Sequence, residues 1–251
     1  MRCCQKIRQT ISALLISLLI QAVMPVTVEG QAAQSKAEVL HRLSSERLIE
    51  AVLTADGSLL AHVRETTEGI KSGAWRACLA ASQRAETDKL IEAFITRNIS
   101  GARVSAIIPR DETDGRLRLE VRFSVPNYAQ AQARGMVIRP ALFAFGEMTW
   151  MIEAASRQQF ITENRRLTET AQIRLPSGWS VKDLPETIRF SQPQGSFQAE
   201  FEVRDGCLVV RQTLQLSTQA GVATPEAAAR SFNERVQQAG QTKVTIVRSR
   251  S

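Results

Sequence analysis

The residues with the clearest capacity for covalent chemistry are Cys78 and the two histidines of the chain, His41 and His62. A cysteine thiolate is a strong nucleophile, and a neighbouring histidine can accept its proton. His41 lies in a lead-in segment and His62 on a hairpin strand, so no local element brings either of them to Cys78. Because cysteine is often buried as a small hydrophobe, we interpret Cys78 as a core residue. A cysteine-dependent hydrolase or transferase is the alternative.

Neither the residue types nor their spacing indicate a metal or cofactor site. No two cysteines or histidines have the spacing of a zinc site, and the sequence lacks a glycine-rich phosphate loop and a dinucleotide fingerprint. Asp111, Glu112 and Asp114 are close together, but carboxylates in a turn before a strand are more often solvated than bound to calcium. We therefore predict no catalytic, cofactor-binding or metal-binding residues.

The chain is basic, with a formal net charge of +7 and an isoelectric point near 9.7. Basic and acidic residues alternate over residues 116–122, and the chain has a single tyrosine, so a nucleic-acid surface is not indicated. A solvated strand face is the preferred interpretation, and an envelope-surface binder of anionic glycan or lipid is an alternative. Trp75, Trp150 and Trp179 could line a ligand groove, although core packing is the usual role of tryptophan.

Residues 1–30 have the layout of an export signal, with basic residues first, an apolar run over residues 11–26 and small residues after it. The run is short for a membrane span. We predict an exported protein, periplasmic or extracellular, that contacts the membrane only through residues 11–26 if the signal remains as an anchor. Cleavage would leave two cysteines, Cys78 and Cys207. Buried free thiols are the preferred interpretation of these two, and a single disulfide is the alternative.

Alternation of apolar and polar residues predicts strands in most of the remaining chain. It is cleanest over residues 116–125, where the odd-numbered positions from 117 onwards are apolar. Residues 47–53 and 58–66 are predicted to form a hairpin around Asp56-Gly57, because glycine accepts the positive φ of a tight turn. Apolar residues at helical spacing predict one or two helices within residues 70–100, with Thr87 or Asp88 as the N-cap of the second helix.

The second half of the chain continues this pattern. Strands are predicted within residues 169–216, with Asp205-Gly206 as a two-residue hairpin turn and Gln212 as the one polar residue on an otherwise apolar face. A helix follows, with Thr224 as its N-cap, and Gly240 ends it. These patterns predict a mainly β fold with a few helices, an α+β protein of antiparallel β-sandwich domains. We expect a β-rich domain with inserted helices over residues 45–155 and a C-terminal sandwich-like domain over residues 168–251.

A recognisable pattern begins with Leu-Pro-Ser-Gly-Trp-Ser-Val at residues 175–181 and continues through Leu184-Pro185, the Asp205-Gly206 turn and its two flanking strands. This pattern resembles the C-terminal β-sandwich region, a domain of unknown function, of exported transglutaminase-like proteins. The order of the upstream hairpin, helical segment and 116–125 strand is also similar, so the resemblance covers roughly residues 45–247.

In that family the region follows a catalytic core whose cysteine nucleophile precedes a histidine and an aspartate. Here no histidine follows Cys78, and no catalytic residue is carried over. The resemblance therefore implies a non-catalytic interaction or accessory module, with an envelope protein or a transglutaminase-like enzyme as its partner.

Overall fold

The computed structural model describes residues 44–67, 76, 84–112, 116–143, 165–216 and 226–249. Strands dominate this part of the chain, and the predicted mainly β, α+β class is confirmed. The elements are β1 Ser44–Leu53, β2 Leu59–Thr67, α1 Arg84–Asn98, β3 Arg103–Asp111, β4 Leu117–Val125, β5 Gln130–Gln132, β6 Gly135–Ile138, β7 Arg165–Arg174, β8 Trp179–Asp183, β9 Ile188–Gln192, β10 Gly195–Arg204, β11 Cys207–Leu216, α2 Glu226–Gly240 and β12 Val244–Arg248.

Eight strands form one sheet, here called the large sheet, in the order β3-β4-β2-β1-β7-β11-β10-β9. All neighbours are antiparallel except β1 and β7, which pair in parallel from Ser44↔Arg166 to Val52↔Arg174. This parallel pair joins strands from both predicted domains, and Glu38–Ser251 forms one compact unit. Parallel pairing requires a long crossover connection. The alternation within each strand shows only which face is buried and does not indicate which strands pair.

A second sheet, the small sheet, has the order β5-β6-β12-β8. Its buried side chains, such as Ile138 and Ile246, belong to the same hydrophobic cluster as Ile49 and Val121 of the large sheet. Helix α1 joins that cluster, and α2 packs through Phe232 on a second cluster with strands β7, β10 and β11. One face of the large sheet, the inner face, therefore contacts the small sheet and both helices.

Two predicted hairpin turns are confirmed. The β1–β2 turn contains Gly57 with φ +85°, and Asp56 accepts hydrogen bonds from the Ser58 backbone at 3.2 Å and from its hydroxyl at 3.0 Å. The β10–β11 turn has both Asp205 and Gly206 at positive φ, 51° and 73°. These φ values fit the right-handed twist of paired strands, so local turn chemistry determines both connections.

Other details depart from the sequence-based expectations. Helix α1 begins at Arg84, so Thr87 and Asp88, predicted as N-caps, lie inside its first turns. Thr224, the predicted N-cap of α2, lies outside the described residues, and Gly240 is the last residue of α2, as predicted. Gln212 is buried on the inner face at 3 % exposure, as its position in the alternation indicates.

Candidate functional site

Of the cysteine and the two histidines considered for catalysis, the structure describes only His62. Cys78 and His41 lie outside the described residues, as do Trp75 and Trp150. Cys207 is a half-buried free thiol at the start of β11. The pairing of Cys78 with a histidine therefore remains a prediction.

His62 lies on β2, on the face of the large sheet opposite the core, here called the outer face. Its Nε2 atom is 3.4 Å from Glu120 Oε2, and its Nδ1 atom is 3.9 Å from Glu50 Oε2. Burial raises the pKa of Glu120, but the hydrogen bond and charge of Arg110, with a smaller effect of His62, outweigh burial and hold that pKa below its usual value. His62 therefore lies between two carboxylates of the outer face.

Two of the carboxylates considered for calcium are paired with arginines in the structure. Asp111 is ion-paired to Arg76 at 2.5 Å, Glu112 is paired to Arg118 at 3.1 Å, and Asp114 lies outside the described residues. Within the described ranges, no three histidine, cysteine, aspartate or glutamate side chains form a cluster that could hold a metal ion.

Three ionisable side chains that no motif singles out form a row across the inner face, here called the buried ionic row: Glu65 on β2, Arg47 on β1 and Glu169 on β7. Their order follows from strand register, because Arg47 pairs with Glu65 on one side and with Glu169 on the other. Each is less than a tenth exposed. Arg47 also lies over the ring of Phe143, 4.8 Å from its centroid. Gln212 continues the row as the register partner of Glu169.

The two carboxylates of this row are unequally bound. Glu65 accepts hydrogen bonds from Ser45 Oγ at 3.1 Å and from Arg47 Nε and Nη2 at 3.1 and 2.8 Å. Glu169 accepts one, from Arg47 Nη1 at 3.1 Å, and its Oε1 atom has no hydrogen-bond partner among the described residues. One guanidinium therefore faces two buried carboxylates and binds Glu65 more completely.

The pKa values reflect this inequality. Burial lowers the pKa of Arg47, but attraction to Glu65 and Glu169 and their hydrogen bonds outweigh burial and raise it above its usual value. For Glu169 burial dominates, and the pKa rises to about 7 despite the attraction of Arg47. A carboxyl that keeps its proton near neutral pH avoids the cost of a second buried negative charge. We interpret the row as a structural element of the core.

The alternation itself contained a signal for these residues. Arg47 is in phase with Ile49 and Ala51, and Glu169 is in phase with Ala171 and Ile173, so each charge falls on an apolar face. A charge in phase with a core pattern indicates a buried ion pair, because an isolated buried charge is too costly. The partners could not be identified without the register of β1 against β2 and β7.

The outer face of the large sheet is strongly enriched in arginine. It carries ten arginines and five glutamates, and none of the eight strands contains a lysine. Glu50, Glu120 and Glu202 bind arginines of this face at 2.8 Å. Five arginines form no ion pair within the part of the chain that the structure describes: Arg103, Arg122, Arg166, Arg174 and Arg189.

Two exposed aliphatic side chains lie among these arginines. Leu60 is 54% exposed and Val52 is 43% exposed, and they face each other across β2 and β1. Arg174 on β7 is the register partner of Val52. On the other side, Leu60 pairs with Ser124 of β4, and Ser124 pairs in turn with Arg103 of β3. We call Val52, Leu60, Arg103 and Arg174 the Leu60–Val52 patch. It combines apolar area with cations that are not neutralised by described residues.

Comparison with known proteins adds one finding. Residues 134–246 match the model of a family described as a domain of unknown function with a solved structure (DUF3858). The match takes in β6 to most of β12 and covers less than half of the 251 residues. No curated protein matches the chain. The match thus supports a domain of unknown function, and nothing in it links the chain to transglutaminase-like proteins.

Proposed function

We propose that this chain is an exported, non-catalytic interaction module that binds an acidic protein surface through the Leu60–Val52 patch. The observation that carries the proposal is the coincidence of an exposed aliphatic pair with arginines that no described acidic group neutralises. Apolar contact supplies affinity at the centre of an interface, and charged groups around it steer the encounter and set its register.

The kind of cation supports a protein partner over a lipid surface. Arginine is enriched in protein interfaces and lysine is depleted, since the planar guanidinium binds carboxylates through two parallel hydrogen bonds. The outer face carries ten arginines and no lysine. The same face keeps exposed glutamates, among them Glu46 and Glu50. These would repel a uniformly anionic membrane, whereas a protein can match a mixed pattern.

Export and the class of partner come from the sequence. The basic start and the apolar run of residues 11–26 support export, and among the described residues no helix has the length and apolar character that a membrane span requires. The resemblance noted above makes a transglutaminase-like enzyme of the envelope the candidate partner. Fractionation of the source cells, with N-terminal sequencing of the recovered protein, tests export directly.

Site-specific photo-crosslinking in the source cells tests the patch. A benzophenone amino acid replaces Leu60 in one strain and Val52 in another, and Leu90 on α1, which is 62% exposed, is the matched control position. We expect positions 60 and 52 to capture the same protein through an acidic segment. Position 90 should not capture it, and Arg174→Glu should abolish the adduct. Capture from all three positions alike, or an adduct that is unaffected by Arg174→Glu, would contradict the proposal.

Two further measurements separate the alternatives. Binding of the protein to phosphatidylglycerol vesicles, with loss of that binding in Arg174→Glu, would favour a lipid surface over a protein partner. A cysteine-directed activity probe that labels Cys78 in the folded protein, with loss of a measurable hydrolase or transferase activity in Cys78→Ala, would favour the enzymatic alternative.

A further inference from the structure

A cleft of about 620 Å³ lies where the C-terminal ends of both helices meet the small sheet. Its walls include Ile99 and Ser100 after α1, Gln241 and Lys243 after α2, and residues from the β4–β6 region. This volume is within the range of small-molecule sites. None of its lining residues belongs to the Leu60–Val52 patch, so the cleft is a separate feature of the protein.

The charged side chains of the lining are all cationic. Arg139 and Lys243 line the cleft, and none of its twelve lining residues is an aspartate or a glutamate. Lys243 is exposed and forms no ion pair or hydrogen bond with the residues that the structure describes. A concave site with two cations and no carboxylate favours an anionic ligand.

Arg139 is held in a fixed position. Its Nη2 donates to the carbonyl of Asn98, the last residue of α1, at 3.2 Å, and its Nη1 donates to Gln241 Oε1 at 2.9 Å. Its own carbonyl accepts a hydrogen bond from the hydroxyl of Tyr128. An arginine fixed from two sides offers its charge at little cost in conformational entropy when a ligand binds. The cleft is therefore organised before binding.

The uncharged part of the lining indicates the rest of the ligand. Asn127, Gln130 and Gln241 carry amides, and Ser100 carries a hydroxyl. An amide presents both donors and an acceptor, as the hydroxyl groups of a sugar require. Asn127 has φ 53°, a left-handed conformation that asparagine tolerates in turns. Ile99, Pro126, Val137 and Ile138 supply an apolar wall.

We propose that this cleft binds an acidic saccharide, with the oxyanion at Arg139 and Lys243 and the hydroxyl groups at the amide side chains. A carboxylate and a phosphate ester share the oxyanion chemistry that the two cations recognise. The proposal does not depend on the Leu60–Val52 patch, because the ligand, the residues and the assay all differ.

The test is a titration of the full-length folded protein, followed by two-dimensional NMR. The probes are glucuronate, glucose 6-phosphate, glucose and inorganic phosphate. We expect saturable shifts of cleft residues with at least one of the two acidic sugars, and binding at least about tenfold weaker for glucose, because a charge-assisted hydrogen bond contributes more than a neutral one. The ratio between glucuronate and glucose 6-phosphate identifies the oxyanion.

Lys243→Glu should weaken acidic-sugar binding at least about tenfold. Lys182→Glu, at an exposed position of β8 outside the cleft, should leave it unchanged. Because Lys243 is exposed and does not pack in the core, Lys243→Glu should fold normally. Gln130→Ala is a second variant that should fold. Equal binding of glucose and the acidic sugars, binding of none of the probes, or equal effects of the Lys243 and Lys182 variants would overturn the proposal. Binding of inorganic phosphate as tight as that of the sugars would do the same.

Discussion

The two faces of the large sheet use the same pair of residue types under different conditions. On the inner face, Arg47 Nη2 lies 2.8 Å from Glu65 Oε2, and on the outer face, Arg64 Nη2 lies 2.8 Å from Glu50 Oε2. The side chain of Glu65 is 2% exposed, whereas that of Glu50 is 51% exposed. Water screens the outer pair, and the inner pair has lost its hydration. Although the two distances are equal, the fold depends more strongly on each partner of the inner pair than on each partner of the outer pair.

The two faces also differ in how completely their charged groups are paired. The one cation of the buried ionic row, Arg47, is paired with two carboxyl groups, while half of the ten outer arginines have no ion pair among described residues. A core cannot hold uncompensated charge, but a surface can, and it can use that charge for binding. The inner face thus balances its buried charges, whereas the outer face carries arginines that no described acidic group neutralises.

Val121→Asp should cause the largest loss. Val121 is fully buried at the centre of β4, and an unpaired carboxylate there should lower the free energy of unfolding by about 5 kcal/mol, or prevent folding. Arg122→Asp, the next residue on the outer face, is the matched control and should change it by less than about 1 kcal/mol. Urea denaturation measures both, and similar losses would contradict the assignment of the two faces.

Arg47→Ala should lower the free energy of unfolding by about 3–5 kcal/mol, because it leaves two carboxyl groups buried without their cation. Arg64→Ala, which removes the arginine of the outer pair, should cost about 0–1 kcal/mol. A triple variant with Arg47→Met, Glu65→Leu and Glu169→Leu should recover most of the loss, since no charge then remains buried. If the triple variant is less stable than Arg47→Ala, the row is stabilising in itself.

Glu169 should make stability fall as pH rises. Below pH 4.5 both states carry the proton, and between pH 4.5 and about 7 the unfolded state loses it while the folded state keeps it. The folded state binds more protons in this window, so the contribution of Glu169 decreases with rising pH, by about 3 kcal/mol in total, and levels off above about pH 7. Comparison with Glu169→Gln by urea denaturation at several pH values isolates this contribution. A constant difference between the two proteins would contradict the raised pKa.

The smallest effect concerns the outer pair alone. A double-mutant cycle with Arg64→Ala and Glu50→Ala should give a coupling energy of about 0.2–1 kcal/mol that decreases with added salt. The same cycle with Arg47→Ala and Glu65→Ala should give a larger coupling that salt hardly changes. Equal couplings on the two faces would remove the distinction between them.

Much of the local structure could be predicted from the sequence. The alternation in β4, the Asp56-Gly57 turn and the Asp205-Gly206 turn depend on neighbours in the chain, and the structure confirms them. The first turn of α1 was not predicted correctly. Arg84 bonds Asp88 at 2.8 Å and the Ile107 carbonyl at 2.6 Å, and the second of these contacts is tertiary. A helix terminus fixed by a distant strand has no local signature.

The sequence by itself determined which residues alternate, which turns are tight and that Arg47, Glu65 and Glu169 lie in phase with apolar neighbours. Tertiary structure decided that β1 pairs with β7 in parallel, and with that register it placed one arginine between two glutamates. It also decided which two helix ends form the cleft around Arg139. The physical reason is that alternation depends on the geometry of one strand, whereas register and clefts depend on contacts between residues far apart in the chain, up to 122 positions for Arg47 and Glu169.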